Sequence, residues 1–98
     1  MHPVAQGFSY YNIKFKKHPI EAGILVMGDI RNESDKNFTT TVFRIKIFIG
    51  QEVAGSCILK LPGFRKKTTK AFETLVESVH HAMIPKITKC EIIFDSTF

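Results

Sequence analysis

Residues 28–38 read GDIRNESDKNF and stand between two of the most apolar runs in the chain. Three carboxylates (Asp29, Glu33, Asp35), two asparagines and an arginine are packed into this stretch. On its upstream side, Ile24, Val26, Gly28 and Ile30 alternate with residues that turn polar at Asp29 and Arg31. That is a strand buried on both faces at first, through Leu25 and Met27, and then solvated on one. Gly28 falls on the core face, where a missing side chain lets a neighbour approach closely or marks a bulge. Ile30 reads as the last core residue before the chain surfaces. Asn32, Ser34 and Asp35 have short polar side chains that bond nearby backbone and favour tight turns. Phe38 returns the chain to the core. The stretch is read as a strand end and hairpin corner.

Working outward, TTTVFRIKIFIG (39–50) sets Phe43, Ile45, Ile47 and Ile49 against Arg44 and Lys46, the clearest strand in the chain. Its β-branched and aromatic content suits a pleated surface. After Gly50-Gln51, EVAGSCILKL (52–61) places Val53, Gly55, Cys57, Leu59 and Leu61 on one face, and Pro62-Gly63 is expected to close that strand. Towards the N-terminus, Tyr11, Ile13 and Phe15 alternate with Asn12, Lys14 and Lys16 up to Pro19. Near the C-terminus, Cys90, Ile92 and Phe94 alternate with Lys89, Glu91 and Asp95, with Pro85 at the strand edge. The segment 64–83 is ambiguous. Phe72, Leu75, Val76, Val79 and Met83 make a helical stripe, so a strand over about Lys66–Phe72 is expected to run into a short helical segment near 75–83. The spacing predicts one domain, 1–98, an all-β antiparallel immunoglobulin-like sandwich of six or seven strands.

Composition agrees. A chain of 98 residues buries roughly two-thirds of its unfolded surface, enough for one core without disulfide staples. Fourteen Lys and Arg against nine Asp and Glu give a net charge of +5 and a pI near 9.4, with the charge spread along the chain. No apolar stretch reaches the roughly 18 residues of a membrane-spanning helix, so membrane insertion is not expected. The start, MHPVAQGFSYY, lacks the basic and apolar regions of a signal peptide. Taken as a full-length chain it reads as cytoplasmic. Taken as part of a longer exported protein it reads as extracytoplasmic.

The order Gly28-x-Ile30-x-Asn32-x-Ser34, then Phe38, Gly50, Gly55, Leu61-Pro62-Gly63 and Phe72 resembles the FxLYD-type domain over roughly residues 20–76. IKIFI (45–49) stands where the naming motif would fall. The resemblance implies an immunoglobulin-like β-sandwich from uncharacterised bacterial and archaeal proteins, with no catalytic residues to carry over. It implies a binding or accessory role by analogy.

The chemistry-bearing residues point the same way. Cys57 and Cys90 both fall on core-facing positions and read as free buried thiols or as a disulfide, which needs Cα atoms within about 7 Å. No Cys-x-x-Cys nucleates a zinc site. His80-His81 are adjacent, whereas metal-binding helices space histidines at i and i+4. Asp29, Glu33 and Asp35 are aimed one way by alternation, as a calcium site would need, but read as turn residues. No nucleophile motif or phosphate-cradling glycine loop is present. Hence no catalytic, cofactor-binding or metal-ligating residue is predicted. The expected function is a non-enzymatic accessory or protein-interaction module, with a protein partner or self-association in which Phe48 and Ile58 are the candidate contact residues. The alternative is a polyanion (nucleic acid) binding module using Lys14–His18 and Phe64–Lys70, which requires the two clusters to share a face. Their bland reading is that lysines on exposed strands guard sheet edges against aggregation.

Overall fold

The computed structural model describes residues 2–4 and 7–97, the first three by their backbone alone. Among the described residues, seven strands form two antiparallel sheets. One contains β1 (His2–Val4), β2 (Phe8–Lys17), β3 (Ile24–Asn32) and β6 (Thr69–Val76), in the order β1-β2-β3-β6. The other contains β4 (Phe38–Ile49), β5 (Glu52–Phe64) and β7 (Lys89–Thr97), in the order β5-β4-β7. A 3-10 helix, His81–Lys86, precedes β7. The inward faces of both sheets supply one core, so the chain is an all-β sandwich.

β3 shows how directly alternation becomes burial. Ile24, Val26, Gly28, Ile30 and Asn32 are buried, and the residues between them are half-buried. Gly28 does what its position suggested, in both senses. A Cβ there would lie 2.5 Å from Ile13 Cδ1 and 3.1 Å from the Phe72 ring. Across from it, β2 carries a bulge between Tyr11 and Lys14, with Asn12 at φ 56°. Asn tolerates that left-handed backbone better than most residues, and Asn12 Nδ2 donates to Asp29 Oδ2 at 3.0 Å.

The bulge corrects the expected pattern in β2. The extra residue shifts the strand's phase, so Phe8 and Tyr10 point inward above it and Ile13 and Phe15 below it, packed on the core. Tyr11, expected beside Ile13 and Phe15, lies on the opposite face. A second bulge, where Ile47 pairs with Gly55 but Phe48 with Val53, turns Val53 outward to 51% exposure. β5 also continues through Pro62-Gly63 to Phe64. Proline is tolerated there because β5 is an edge strand.

The ambiguous segment resolves mainly as strand. β6 extends to Val76 because Phe72, Thr74 and Val76 pair with Gly28, Val26 and Ile24 of β3. A helix would forfeit that ladder. The helical element begins later, at His81, and is a single 3-10 piece that includes Pro85. Val79 is buried without belonging to either element.

At one end of the sandwich the Phe8 ring lies among Phe38, Phe43, Phe64 and Phe94, with centroids 5.1–5.7 Å away. Aromatic pairs at such separations contribute about 0.5–1.5 kcal/mol each beyond area burial.

The corner after β3 closes over this cluster. Asn32, rather than Ile30, is the last buried residue, with 0% exposure. Its Oδ1 accepts from Ser34 N at 3.0 Å and Ser34 Oγ at 2.6 Å. Its Nδ2 donates to Lys36 O at 2.8 Å and reaches Phe64 O at 3.5 Å. Replacing Asn32 by Ala is expected to cost about 1–3 kcal/mol by leaving buried polar groups unpaired. Asn32→Asp turns a donor into an acceptor facing two carbonyls, and burial raises its pKa above the unfolded value of about 3.9. The Asp variant should be most stable below about pH 4 and lose stability as pH rises towards neutrality, a trend absent in Asn32→Ala. Urea denaturation against pH measures this; an Asp variant as stable as wild type at pH 7 contradicts it.

Candidate functional site

The titratable groups do not converge. Asp29 accepts from Asn12, Glu33 pairs with Arg31, and Asp35 lies 3.8 Å from Lys67 while 91% exposed. The three carboxylates weighed as a calcium set are thus each turned to a different partner. Among the described residues no group of three or more His, Cys, Asp or Glu side chains is placed to hold a metal ion.

The histidine pair is structural in its contacts. His80 caps the 3-10 helix, its Nδ1 accepting from Ala82 N at 3.0 Å. The His81 ring lies 4.1 Å from that of His80. Desolvation, then the neighbouring His80 and Lys17, push the His81 pKa down. His18 Nδ1 accepts from Ile20 N and Glu21 N, organising the β2–β3 turn.

Both cysteines are free and half-buried. They flank β4 on opposite sides, Cys57 paired with Ile45 and Cys90 with Ile47. Two strand spacings, roughly 9.5 Å, separate them, beyond the reach of a disulfide. Burial pushes the Cys57 thiol up, opposed by a contact with the Thr74 hydroxyl. Burial, then Cys57 and Glu91, push Cys90 up to about 12. A thiol so reluctant to ionise is a poor nucleophile.

The two basic stretches lie on opposite sides of β3, nearest at Lys14 and Lys70, which pair with Met27 and Ile30, and diverge from there. Lys17 pairs with Ile24 at one end of β3, whereas Thr69 pairs with Arg31 at the other. About seven residues of strand, roughly 24 Å, lie between these pairs. The candidate contact residues share the outer face of the second sheet. Ile58 is 48% exposed beside Arg44, with Ile93 on Arg44's other side. Phe48 is half-buried, with the Lys89 ammonium 4.5 Å above its ring.

What the residue pattern did not reveal is a groove of about 480 Å³ between β2 and β7, lined by Tyr10, Ile13 and Phe15 on one side and Thr88 to Glu91 on the other. Tyr10 bridges it. Its hydroxyl donates to Cys90 O at 3.3 Å, and the Ile92 backbone bonds the same group. Burial raises the Tyr10 pKa, with the Ile92 hydrogen bond opposing. Neighbouring backbone groups on a strand edge alternate in direction, so Cys90 and Ile92 both turn towards the groove. No other strand among the described residues pairs with this side of β7. The only advance signal was the alternation that put Cys90 and Ile92 on one face.

Comparison with protein-family models, curated proteins and solved structures yields no match for this chain. No helix among the described residues is long and apolar enough to cross a membrane.

Two expectations follow. The stability contributed by the un-ionised Cys90 is complete below its ordinary pKa of 9.0 and is lost as pH rises towards 12, by at most about 1.4 kcal/mol per pH unit. Denaturation between pH 8 and 11 should show this fall, and Cys90→Ala should make it shallower; an unchanged slope contradicts the assignment. Because the lysine clusters flank β3 on opposite sides and diverge along it, heparin retention should be weak and show only a shallow dependence on salt. A steep loss of retention with rising salt, the sign of many phosphate-type contacts, would restore the polyanion reading.

Proposed function

We propose that this chain is a non-enzymatic accessory module that binds another protein, built on an immunoglobulin-like sandwich of the FxLYD type. The strand order supports the fold assignment. Immunoglobulin-type sandwiches join the first, second and fifth strands in one sheet and set the third beside the sixth in the other. Counting from β2, this chain pairs β2, β3 and β6, and pairs β4 with β7. The fourth strand in this count, β5, departs from that order: it lies beside β4, at the place of the C′ strand of variable-type domains, and not in the sheet of the first, second and fifth.

One observation carries the functional reading. The bonding capacity the molecule leaves open lies in its backbone: β7 offers a strand edge beside a partly apolar groove. Its carboxylates, by contrast, are dispersed and several are already engaged by neighbours. Exposed edges are templates for a second chain, and strand addition is a recurring mode of peptide recognition.

Site-directed photo-crosslinking in extracts of the source cells tests this. Photoreactive residues placed singly at Thr88, at Ile58 and at Thr39 sample the groove, the outer face and a remote surface. A discrete heteroadduct from Thr88 or Ile58, absent from Thr39, is expected. Adducts from none of the three positions, or the same adducts from all, would overturn the reading.

A further inference from the structure

The outer face of the second sheet gathers charge of one sign. Arg44 and Lys46 project from β4, Lys60 from β5 beside Val42, and Lys89 from β7 beside Phe48. They stand on the side away from the core, since Phe43, Ile45 and Ile47 alternate with Arg44 and Lys46 and are buried. One acid shares the face: Glu91, opposite Lys46 in the register and 3.7 Å from Lys89 Nζ. Asp95, at the bulge of β7, and Glu52, opposite Ile49, stand at its two ends. Arg44, Lys46 and Lys60 form no ion pair with a described carboxylate. The outer face of the first sheet mixes the signs instead: Lys14 and Glu73 flank Met27, and Arg31 is paired with Glu33.

An apolar component surrounds Arg44. Ile58 and Ile93, both exposed, are its two cross-strand neighbours, and side chains so opposed stand about 4.5–5.5 Å apart. Any partner that covers both isoleucines also covers the guanidinium between them. Taking an unpaired ion out of water is strongly unfavourable, so an occupant that gains the apolar contact must bring negative charge to Arg44. The guanidinium fork fits a carboxylate through two parallel hydrogen bonds. Lys46, about 7 Å along β4, and Lys60, on the diagonal, call for further acids around it. A nucleic acid would bring phosphates but also needs rings on which its bases stack. The aromatic on this face, Phe48, is half-buried and has the Lys89 ammonium over its ring. A second copy of the chain stacked on this face would set cation against cation.

We propose that the outer face of the β5-β4-β7 sheet docks an acidic surface of a partner protein, with a partner carboxylate seated on Arg44 between Ile58 and Ile93. The inference rests on the protein-interaction reading and specifies the partner's chemistry and the anchor residue, on a surface separate from the β7 edge. Burial of the two isoleucines supplies apolar contact, the guanidinium fork supplies orientation, and Lys46 and Lys60 speed the encounter with an acidic partner. A central arginine ringed by aliphatic contacts is an arrangement that concentrates binding energy in few residues.

A labelled amphipathic helical peptide with leucines and glutamates on one face is the probe, followed by fluorescence anisotropy at low salt. The peptide should bind, and replacing its glutamates by glutamine should weaken binding at least about tenfold, as expected for loss of a charged hydrogen-bonded group. Arg44→Gln should weaken it equally. Arg44→Lys should recover only part of the loss, because an ammonium cannot make the fork. Ile58→Ser should weaken binding several-fold. Both side chains are exposed, so thermal melting of these variants should match the parent. The double variant Lys14→Gln, Lys16→Gln, which lowers the net charge on the other sheet, should bind as the parent does. Amide-resolved NMR should place the perturbed signals at Arg44, Ile58 and Ile93.

No binding up to about 1 mM, equal binding of the glutamine peptide, or signals centred on Lys66–Lys70 or Asn12–Phe15 would each overturn the proposal. Oligothymidylate or phosphatidylserine vesicles that bind more tightly than the peptide, with Arg44→Lys as effective as the parent, would overturn the choice of a protein partner. A doubling of mass by light scattering that Ile58→Ser abolishes would overturn it in favour of self-association. Heteroadducts from Thr88 but not Ile58 would leave the protein-interaction reading standing while this inference falls. Adducts from neither would remove both.

Discussion

The amide of Asn32 is the constraint around which the sandwich is closed. It is a polar side chain with no exposed surface, placed where the chain leaves one sheet for the other. Its oxygen holds the turn through Ser34, and its nitrogen reaches Lys36 and the carbonyl of Phe64 at the far end of β5. Around it, backbone bonds from Asn32 to Thr68 and from Glu33 to Gly7 tie in the start of β6 and the approach to β2. A buried amide left unpaired costs about 1–3 kcal/mol, a sizeable part of the roughly 5–15 kcal/mol that separates folded from unfolded domains. The corner therefore has one satisfactory geometry, and that geometry seats Phe8, Phe38 and Phe64 against one another.

The two long sides of the sandwich are sealed differently. Where β5 approaches β6, Cys57 meets the Thr74 hydroxyl. Gly55 lets Ser78 and Val79 come close enough that a Cβ would collide with them. Backbone and side chains fill that side. On the other side, among the described residues, β1 pairs only with Phe8–Tyr10 of β2, and the Tyr10 hydroxyl reaches across to Cys90 O of β7. The groove is the consequence of that shorter cover. Its floor stays half-buried because Ile13 and Phe15, though phased towards the core by the Asn12 bulge, have no facing strand above them.

Residue types and spacing gave no nucleophile or metal motif, and the carboxylates of GDIRNESDKNF proved to bond outward, each to a different neighbour. The thiols were placed correctly on the core face, but their separation depends on which strand lies between them. The basic stretches were visible as composition, while their placement on opposite sides of β3 was not. Tyr10 was the residue hardest to see, because its role depends on Cys90, eighty positions away, and nothing in its own neighbourhood encodes that distance.

Alternation by itself determined the all-β class, the antiparallel strands and most of the core, because burial on one face of a pleated strand demands a period of two. It also determined the Gly28 contact and the turn after β3, where the local chemistry of glycine, asparagine and serine suffices. Only the tertiary structure decided the phase of β2 on either side of Asn12, the outward turn of Val53, and the strand state of Leu75 and Val76. Bulges are set by what must be accommodated across the ladder, as Ile13 over Gly28 shows. The segment after Phe72 scores as helix on its own periodicity. It is held as strand because β3 offers it a complete edge of hydrogen bonds, and that edge exists only once the sheet has formed.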